Sequence, residues 1–371
     1  MTLTFNPADV LQLLAQSASV MNGKNTLPIL DNFLIAAKRD YTVITTSDSE
    51  IWLSRKVNIQ SDSEFKVCIN ATDVVKALKN LNEVLVNVEF DSETHIATFN
   101  YDGGYFKIPF LDDEFPVPPS DSNVNNDNAF TLSQQQLRDV ISCVHFAVSY
   151  DQLRPIMNGV HFDFFSDGLV TAATDSFKLA KYKDDNITNN GVEPTPQFTM
   201  PIKTALVLKS ILNEGSVTVK FNNNFVVVTS DDFNLTARLI EGKYPNYNVV
   251  IPNGYNCKAF LKKETLYSAL KRVSPMGDTT SELIKLNFDV FGNLTISAEN
   301  VDMNTSAKEN IECEYEGNEI TIGVKSSILM EILRNLNFDE ITIEMTEPVR
   351  PCIIYGNNKD KYLTLVMPMA V

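Results

Sequence analysis

The sequence is poor in the residues on which catalytic and metal sites most often depend. Its 371 residues include three histidines, His95, His145 and His161, and five cysteines. The cysteines are far apart and odd in number, so they predict neither a disulfide framework nor a CxxC metal pair. We expect all five to be small buried apolar residues: Cys68, Cys143, Cys257, Cys313 and Cys352.

Catalytic and nucleotide-binding motifs are missing as well. The chain contains no GxGxxG, GxxxxGK[ST], HExxH or EF-hand pattern. Asp175 can be considered as a catalytic acid, but no partner residue or cleft motif accompanies it. His145 lies in an apolar helical pattern and His161 beside a strand, which is typical of structural histidines. The sequence therefore predicts a protein without catalytic residues, cofactor or metal.

Long apolar runs are lacking, and basic residues are outnumbered. No stretch approaches the ~18 to 20 apolar residues of a membrane span, and no secretory signal pattern opens the chain. We therefore expect a soluble cytoplasmic protein that makes no membrane contact. The chain has 47 acidic and 31 basic residues, which gives a formal net charge of −16. This balance argues against nucleic-acid binding unless the basic residues share one surface.

The sequence does contain a threefold internal repeat. The segments Leu78–Phe90, Leu208–Phe221 and Leu333–Met345 each combine the end of an apolar-periodic helix, a turn with Asn and an acidic or Gly residue, and an alternating strand. The copies begin about 125 to 130 residues apart, which is one domain length. Composition changes at Pro116–Asn128 and at Ile251–Cys257. We therefore predict three domains, at residues 1–128, 129–253 and 254–371.

A second helix is predicted in each repeat, at Asp9–Met21, Ser133–Val148 and Lys263–Val273. Asp9 and Ser133 are the expected N-caps, and Glu264 places an acidic residue in the first turn of the third. Short strands occupy the rest of each repeat, for example Thr42–Thr45, Ile51–Ile59, Phe65–Ile69, Leu169–Ala173, Phe225–Thr229, Ile284–Phe288, Leu294–Ala298 and Ile353–Tyr355. Two helices and about eight strands per domain predict an α+β fold.

Basic residues concentrate on or beside the six helical segments: Lys76, Lys79, Arg138, Lys203, Lys209, Lys262, Lys263, Lys271, Arg272, Lys325 and Arg334. If the six helices line one surface, that surface is more positive than the chain as a whole. Basic residues on any solvated helix face give the same pattern, so the pattern alone leaves DNA binding open. No base-reading or aromatic stacking pattern is present. Any DNA contact is therefore expected to be to phosphates and blind to sequence.

Five motifs then resemble those of one family, in order and spacing: NTLPILDN at Asn25–Asn32, RPIMNGV at Arg154–Val160, ATDSFKLA at Ala173–Ala180, YPNYNVVIP at Tyr244–Pro252 and LVMPMAV at Leu365–Val371. The family is the bacterial β sliding clamp, the β subunit of DNA polymerase III. Together with the repeat, the resemblance covers the chain from end to end. It implies a head-to-tail homodimer whose six domains close a ring around duplex DNA, with helices inside and sheets outside.

The resemblance also implies an apolar cleft between the second and third domains. In the family this cleft binds short Gln-, Leu- and Phe-containing peptides of the polymerase III catalytic subunit, the clamp loader and other proteins. Met367 and Met369 suit that task because flexible thioether side chains can repack around different peptides. Carried over residue by residue, the cleft comprises Met157, Thr174, Ser176, Phe177, Lys178, Leu179, Pro245, Val249, Val250, Val349, Pro351, Leu365, Val366, Met367, Pro368 and Met369.

Four positions depart from the family pattern. Ser176 and Phe177 replace a commoner Gly-His or Gly-Tyr pair, Val249 stands where a basic residue is frequent, and Ala370 replaces a common Arg. These changes make the predicted cleft more apolar and put its peptide preference in question.

The resemblance further implies surfaces for DNA and for the second subunit. Lys24, beside Gly23, lies in a loop where the family presents a basic residue. The residues expected to face DNA are Lys24, Lys76, Lys79, Arg138, Arg154, Lys203 and Lys209. At the seam of the ring, Phe106 and Ile108 of one subunit are expected to meet Arg272, Pro275 and Met276 of the next.

The function implied is that of a processivity clamp. Such a ring encircles DNA without sequence specificity, associates with the nucleoid during replication, and tethers polymerase by raising its effective concentration. Two alternatives without a DNA role remain open from the residues alone: an α+β repeat protein that serves as a general peptide-binding scaffold, and a hydrolase of unrecognised type.

Overall fold

A computed structural model describes residues 1–21, 27–81, 84–119, 124, 129–188 and 195–371. These residues form six α-helices, two in each third of the chain. None of the helices in the described ranges is both long enough and apolar enough to cross a membrane. The helices are α1 Pro7–Ala18, α2 Ala71–Leu78, α3 Gln134–Val144, α4 Ile202–Ile211, α5 Lys263–Val273 and α6 Ser326–Asn335.

The same residues form 26 strands. The first nine are β1 Thr2–Phe5, β2 Asn32–Ala37, β3 Thr42–Ser47, β4 Ile51–Val57, β5 Gln60–Ser61, β6 Phe65–Asn70, β7 Val86–Asp91, β8 Ile96–Tyr101 and β9 Gly104–Leu111. Eight follow: β10 Ala129–Ser133, β11 Gly159–Phe165, β12 Gly168–Thr174, β13 Lys178–Asp184, β14 Gln197–Pro201, β15 Ser216–Phe221, β16 Phe225–Thr229 and β17 Phe233–Arg238. The last nine are β18 Cys257–Lys262, β19 Leu283–Phe288, β20 Asn293–Asn300, β21 Thr305–Glu312, β22 Glu314–Glu316, β23 Ile320–Lys325, β24 Glu340–Met345, β25 Cys352–Tyr355 and β26 Tyr362–Val366.

The predicted repeat is confirmed element by element. Helices α2, α4 and α6 are followed by strands β7, β15 and β24, the three helix–turn–strand units read from the sequence. Each of the eight strands predicted by alternation is present, with ends that match the prediction or shift by one or two residues. The α+β fold is confirmed by the same elements.

Helix ends differ from the prediction in three places. The first helix ends at Ala18, three residues before the predicted end at Met21. The first helix is capped by Asn6 and not by Asp9: the Asn6 side chain accepts from the Ala8 N–H at 3.0 Å, and Pro7 occupies the first helical position. The second predicted helix ends at Val144, and His145–Ala147 continue as a 3-10 turn. Ser133 caps it as predicted, because its hydroxyl accepts from the Gln136 N–H at 3.0 Å while the Gln136 side chain accepts from the Ser133 N–H at 2.9 Å.

Two compact units contain these elements. Unit 1, residues 1–138 and 203–241, holds one antiparallel sheet of thirteen strands. Its apolar core gathers aromatic and aliphatic side chains of β2, β6, β7 and β9, for example Phe33, Ile69, Phe90 and Phe110, with Leu78 of α2. The strand order is β10-β15-β16-β17-β4-β3-β2-β6-β9-β8-β7-β1-β5.

Unit 2, residues 139–202 and 242–371, holds two antiparallel sheets. One has nine strands in the order β14-β11-β12-β13-β26-β25-β24-β18-β22, and the other has four in the order β21-β20-β19-β23. In the nine-stranded sheet, β13 from the middle of the chain pairs with β26 from its end. Every residue of the predicted cleft lies in unit 2.

Several strand edges carry no partner strand within the described residues, and two of them, one in each unit, lie near residues assigned to the predicted seam. In unit 1, β9 pairs with β8 along its length but with β6 only at Phe110 and Leu111, which leaves the second edge of 104–109 open. In unit 2, β21 is the outer strand of the four-stranded sheet and pairs with β20 alone. Open edges of this kind can accept a strand of another chain.

The five cysteines are unbridged thiols. Cys68, Cys257 and Cys352 are buried, as predicted. Cys143 and Cys313 are only half-buried, so the prediction of burial is wrong for these two. Burial raises the pKa of Cys352 to about 12, and burial with nearby carboxylates raises that of Cys68 to about 11. Thiols of this kind carry little thiolate at neutral pH and are poor nucleophiles.

Candidate functional site

The floor of the predicted cleft is formed where β13 pairs with β26. Lys178 lies opposite Val366 and Leu179 opposite Leu365 in an antiparallel register. Leu179, Leu365 and Val366 are almost fully buried, with 1% of each residue exposed. Leu179 and Leu365 belong to an apolar cluster with Tyr244 and Tyr247, against which Met367 packs. The sequence motifs ATDSFKLA and LVMPMAV thus meet in one sheet.

The turn that joins β12 to β13 is fixed by side-chain hydrogen bonds. The Thr174 hydroxyl donates to the Lys178 carbonyl at 2.7 Å and accepts from the Ser176 N–H at 3.2 Å. One Asp175 carboxylate oxygen accepts from the N–H groups of Phe177 and Lys178, at 2.9 and 2.8 Å. With its backbone groups held in this way, the turn presents Phe177 to solvent, and 62% of that residue is exposed.

Ser176 is the strained residue of this turn. Its φ of 79° lies in the left-handed region, which costs a residue with a Cβ about 1–2 kcal/mol. Arg154 offsets part of that cost, because its guanidinium donates to the Ser176 hydroxyl at 2.6 Å. Arg154 also lies 4.0 Å from the carboxylate of Asp151.

Lys178 is a buried cation held between two carboxylates. Its ammonium lies 2.7 Å from Asp175 and 3.0 Å from Glu331 of α6, and 9% of its side chain is exposed. Burial alone lowers the pKa of Lys178, but the hydrogen bonds and charges of Asp175 and Glu331 outweigh that effect and raise the pKa above 10.5. The cleft floor therefore contains a permanently charged and internally neutralised lysine.

Val249 and Val250 are carried by a short helical turn that is anchored from below. The turn spans Tyr247–Val250, and the Tyr247 hydroxyl donates to a buried oxygen of Asp163 at 2.6 Å. Burial, then the charge of Asp163, raises the pKa of Tyr247, so the hydroxyl stays a proton donor. His161 bonds the other Asp163 oxygen at 3.2 Å and stacks on Tyr244 with ring centroids 4.4 Å apart.

An open cavity with both apolar and polar lining residues, among them Glu347 and Arg350, lies beside Met367. Five of the predicted cleft residues line it: Val249, Val250, Val349, Pro351 and Met367. Most of the other lining residues are their neighbours in sequence. Met367 therefore belongs both to the cavity wall and to the buried cluster around Leu179. This residue joins the floor and the open part of the cleft.

Burial separates the predicted cleft residues into three groups. Buried residues form the floor: Met157, Lys178, Leu179, Leu365 and Val366. Half-buried residues form the walls: Thr174, Pro351, Met367, Pro368 and Met369. Exposed residues form the rim: Ser176, Phe177, Pro245, Val249, Val250 and Val349. An apolar rim over a packed floor is a surface that favours a peptide with apolar side chains.

Two residues of the site escaped the sequence prediction. The Tyr244 hydroxyl accepts from the Thr174 N–H at 3.1 Å, and Glu331 completes the shell around Lys178. Tyr244 stands in the motif YPNYNVVIP and was within reach of sequence reasoning. Glu331 carries no local signal, because its partner lies 153 positions earlier in the chain and the two meet only in the folded sheet. The carboxylate of Asp175, which the sequence offered as a catalytic acid, accepts hydrogen bonds from the N–H groups of the turn and pairs with the Lys178 ammonium.

The arrangement is matched by comparison with known proteins. Three models of the DNA polymerase III beta subunit match the chain in succession: the N-terminal domain at residues 1–119, the central domain at 131–246 and the C-terminal domain at 248–370. The chain belongs to the DNA polymerase III beta subunit family. Its members are the beta sliding clamps, non-catalytic processivity factors of that polymerase, and this is the function of the chain.

Individual relatives and solved structures agree with this membership. The chain is 27% identical to the beta sliding clamps of Staphylococcus epidermidis and Staphylococcus aureus strain Mu50, with 96% of each chain covered. The crystal structure of the DNA polymerase III subunit beta of Pseudomonas aeruginosa matches it with a TM-score of 0.89 at 24% identity and full coverage of both chains. The sliding clamp of Bartonella birtlesii, solved with griselimycin bound, matches with a TM-score of 0.90 at 24% identity and full coverage. At these identities the structures establish the shared clamp fold.

The basic residues that the clamp resemblance assigns to DNA have different surroundings. Lys24 lies outside the described residues. Lys76 and Lys79 near the end of α2, Arg138 of α3 and Arg154 are exposed, and Lys209 is half-buried. Lys203 of α4 is engaged within unit 1, because its ammonium lies 2.5 Å from the carboxylate of Asp48 and donates to the Val20 carbonyl at 2.5 Å. Lys203 therefore brings a locally neutralised charge, unlike the exposed lysines of α2.

The clamp residues assigned to the seam lie in or beside β9 and β21, each of which has an open strand edge. Phe106 and Ile108 are in β9; Phe106 stacks on Phe99 with centroids 4.5 Å apart, and Ile108 is buried in the core of unit 1. Arg272 ends α5 and makes a two-pronged ion pair with Glu309 of β21, at 2.9 and 2.5 Å. Pro275 and Met276 follow in a 3-10 turn, whose Met276 carbonyl accepts from the Thr305 hydroxyl at 3.0 Å.

Proposed function

We propose that two copies of this chain associate head to tail and close a ring of six domains around duplex DNA. The three-domain boundaries at 1–128, 129–253 and 254–371 belong to this proposal. The open edges of β9 and β21 support it, since each lies next to residues assigned to the seam and can accept a strand of the neighbouring subunit. Because one edge meets the other, the contact is heterologous.

The ring holds DNA through phosphate contacts made by basic residues of its inner helices. The exposed lysines of α2, Lys76 and Lys79, support this assignment, together with Arg138 and the sequence-based assignment of Lys24. Contacts of this kind release counterions and do not read bases, so the ring can move along the duplex. Such a protein acts in the cytoplasm, on the nucleoid.

The apolar cleft is the site at which the ring tethers its partners. We assign to it the peptides of the polymerase III catalytic subunit, of the clamp loader and of other replication and repair proteins, with short Gln, Leu and Phe motifs. One observation carries the assignment: Met367 links the buried cluster around Leu179 to a cavity walled by Val249, Val250 and Val349. A cavity whose wall includes the flexible thioether of Met367 can accept apolar side chains of varied shape.

Two experiments test these proposals separately. For the ring, the protein is loaded onto nicked circular DNA by a bacterial clamp loader with ATP, and the DNA is then cut at one site. We expect retention on the circle and loss after cutting, because the ring slides off an end. Retention that is unaffected by cutting would contradict topological binding.

For the cleft, a fluorescent Gln-Leu-Phe-type peptide is titrated with the unsubstituted protein and with a Val349→Ala, Met369→Ala variant. Both side chains lie at the wall or rim, so the fold is expected to persist. We expect saturable binding that weakens by about tenfold or more in the variant. Phe291→Ala is the matched control, because Phe291 is 87% exposed and lies outside the cleft. Equal binding by all three proteins would refute the assignment.

A further inference from the structure

The last five residues of the chain form a segment that crosses from one sheet of unit 2 to the other. We call Met367–Val371 the C-terminal segment. Strand β26 of the nine-stranded sheet ends at Val366, and the Met367 N–H then donates to the Phe177 carbonyl at 2.8 Å. Two residues later, the Met369 N–H donates to the carbonyl of Gly323 in β23 at 2.8 Å.

Each amide hydrogen of residues 367–369 is therefore in use. Pro368, between the two methionines, has no N–H to satisfy. The two hydrogen bonds fix the backbone on both sides of it, one through the turn before β13 and the other through β23. The thioether side chains of Met367 and Met369 are flexible, but the backbone from which they extend is held at two points.

Gly323 is the residue that allows the second of these contacts. A Cβ added to Gly323 would lie 2.7 Å from the Met369 carbonyl oxygen and 2.9 Å from Leu283 Cδ1. The nearer atom belongs to backbone, so no side-chain rotation relieves the contact. Gly323 is not among the glycines with a positive φ, so its backbone conformation is open to any residue. The close approach of the C-terminal segment is thus the reason for a glycine here.

We propose that Gly323 is a positioning residue of the peptide-binding cleft. It lets the C-terminal segment add to the outer edge of the four-stranded sheet, and through Met369 it sets where the cleft wall stands above Leu179 and Leu365. This inference rests on the proposed function of the cleft for its effect on binding. It extends that function to a strand, β23, that none of the predicted cleft residues occupies.

The experiment compares Gly323→Ala with the unsubstituted protein by two measurements. Hydrogen exchange at the Met369 amide reports whether the segment still pairs with β23, and titration with the fluorescent Gln-Leu-Phe-type peptide reports the cleft. We expect faster exchange at Met369 and a loss of peptide affinity of about tenfold, as for one lost hydrogen bond with displacement of an anchor. Unchanged exchange and affinity would overturn the inference.

A shortened chain that ends at Pro368 shows whether the effect of Gly323→Ala arises from contact with the C-terminal segment or from strand β23 itself. There the Met369 carbonyl is absent and only the flexible tip of Leu283 meets the new Cβ, so Gly323→Ala should lower the melting temperature less than it does in the full chain. An equal decrease in both chains would place the effect in β23 itself and overturn the inference.

Two further variants keep the proposal testable if the Gly323→Ala protein does not fold. Met369→Pro removes the N–H that donates to the Gly323 carbonyl and leaves the sequence of β23 unchanged. Met369→Ala also removes the methionine side chain but keeps that N–H. We expect weaker peptide binding by Met369→Pro than by Met369→Ala; equal binding would overturn the inference. If the unsubstituted protein binds no peptide, the proposed cleft function fails, and the exchange of the Met369 amide still decides the role of Gly323.

Discussion

The guanidinium of Arg154 donates to the hydroxyl of Ser176 at 2.6 Å, and this bond fastens the turn that presents Phe177. Ser176 stands at a left-handed φ of 79°, where a glycine would carry no steric penalty. A strained serine with a charged partner thus occupies a position where the clamp resemblance predicts a glycine. The serine contributes a hydrogen bond to the turn that a glycine cannot make.

Substitutions at Ser176 should separate the hydrogen bond from the backbone strain. Ser176→Ala loses the bond and keeps the strain, whereas Ser176→Gly loses both. We therefore expect the glycine variant to be more stable than the alanine variant by about 1 kcal/mol. Thermal unfolding measures the difference, and equal melting temperatures would contradict it. Arg154→Ala combined with Ser176→Ala should cost less than the sum of the two single changes, because the two residues share one bond.

Lys178→Met should leave Asp175 and Glu331 without their shared cation. Loss of one member of a buried ion pair destabilises by about 3 kcal/mol. Because the folded pKa of Lys178 is raised above 10.5, its contribution is fully present below 10.5 and is lost as the pH rises through the folded pKa. Urea unfolding should thus show a difference between the two proteins that is constant from pH 7 to 9 and smaller at pH 11. A constant difference through pH 11 would refute the assignment.

Lys24→Ala and Lys203→Met should affect DNA binding differently. We expect the first to reduce the salt dependence of binding by about one counterion, because it removes a phosphate contact. Lys203 is already paired with Asp48, so its substitution should lower the free energy of unfolding by about 2 kcal/mol and leave the salt slope unchanged. Fluorescence anisotropy at several salt concentrations measures the slopes. Equal slopes for Lys24→Ala and the unsubstituted protein would remove Lys24 from the DNA surface.

Met276→Asp should weaken the dimer and preserve the fold of the subunit. Met276 is 42% exposed in the single chain, and a carboxylate there would have to be desolvated in the predicted seam. We expect the dissociation constant of the dimer to rise by about tenfold or more in analytical ultracentrifugation. Phe291→Asp, at another exposed apolar position, serves as the control and should dimerise normally. If both variants behave alike, the seam lies elsewhere.

Local patterns in the sequence were sufficient to predict the repeat, the helices and the strands. The unit formed by Leu333–Met345 reads as helix, turn and strand because apolar periodicity changes there from helical to alternating. The cap at Asn6 was missed because Asp9 and Asn6 are both capping residues, and only the side-chain geometry identifies the one that accepts a bond. Helix ends depend on such local competition and are less readable than helix cores.

The candidate site was predictable in its members but not in its supports. The family motifs identify Leu179, Leu365 and Met367 as cleft residues. Which of the cleft residues bind peptide stays a prediction. The contacts of Glu331 with Lys178 and of Gly323 with Met369 join segments far apart in sequence. Neither pair carries a spacing or composition signal, because their partnership is created by the pairing of sheets and the path of the last residues.

If the proposed seam joins the edge of β9 in one subunit to that of β21 in the next, each chain is the equivalent of a bifunctional monomer in polymer chemistry. A molecule with two unlike reactive ends stops growing only when it cyclises. Dilution therefore favours closed rings, and crowding favours linear adducts, with the same contact in both. A substitution that altered the angle between successive subunits, and left the strength of the seam untouched, would convert a ring former into a filament former.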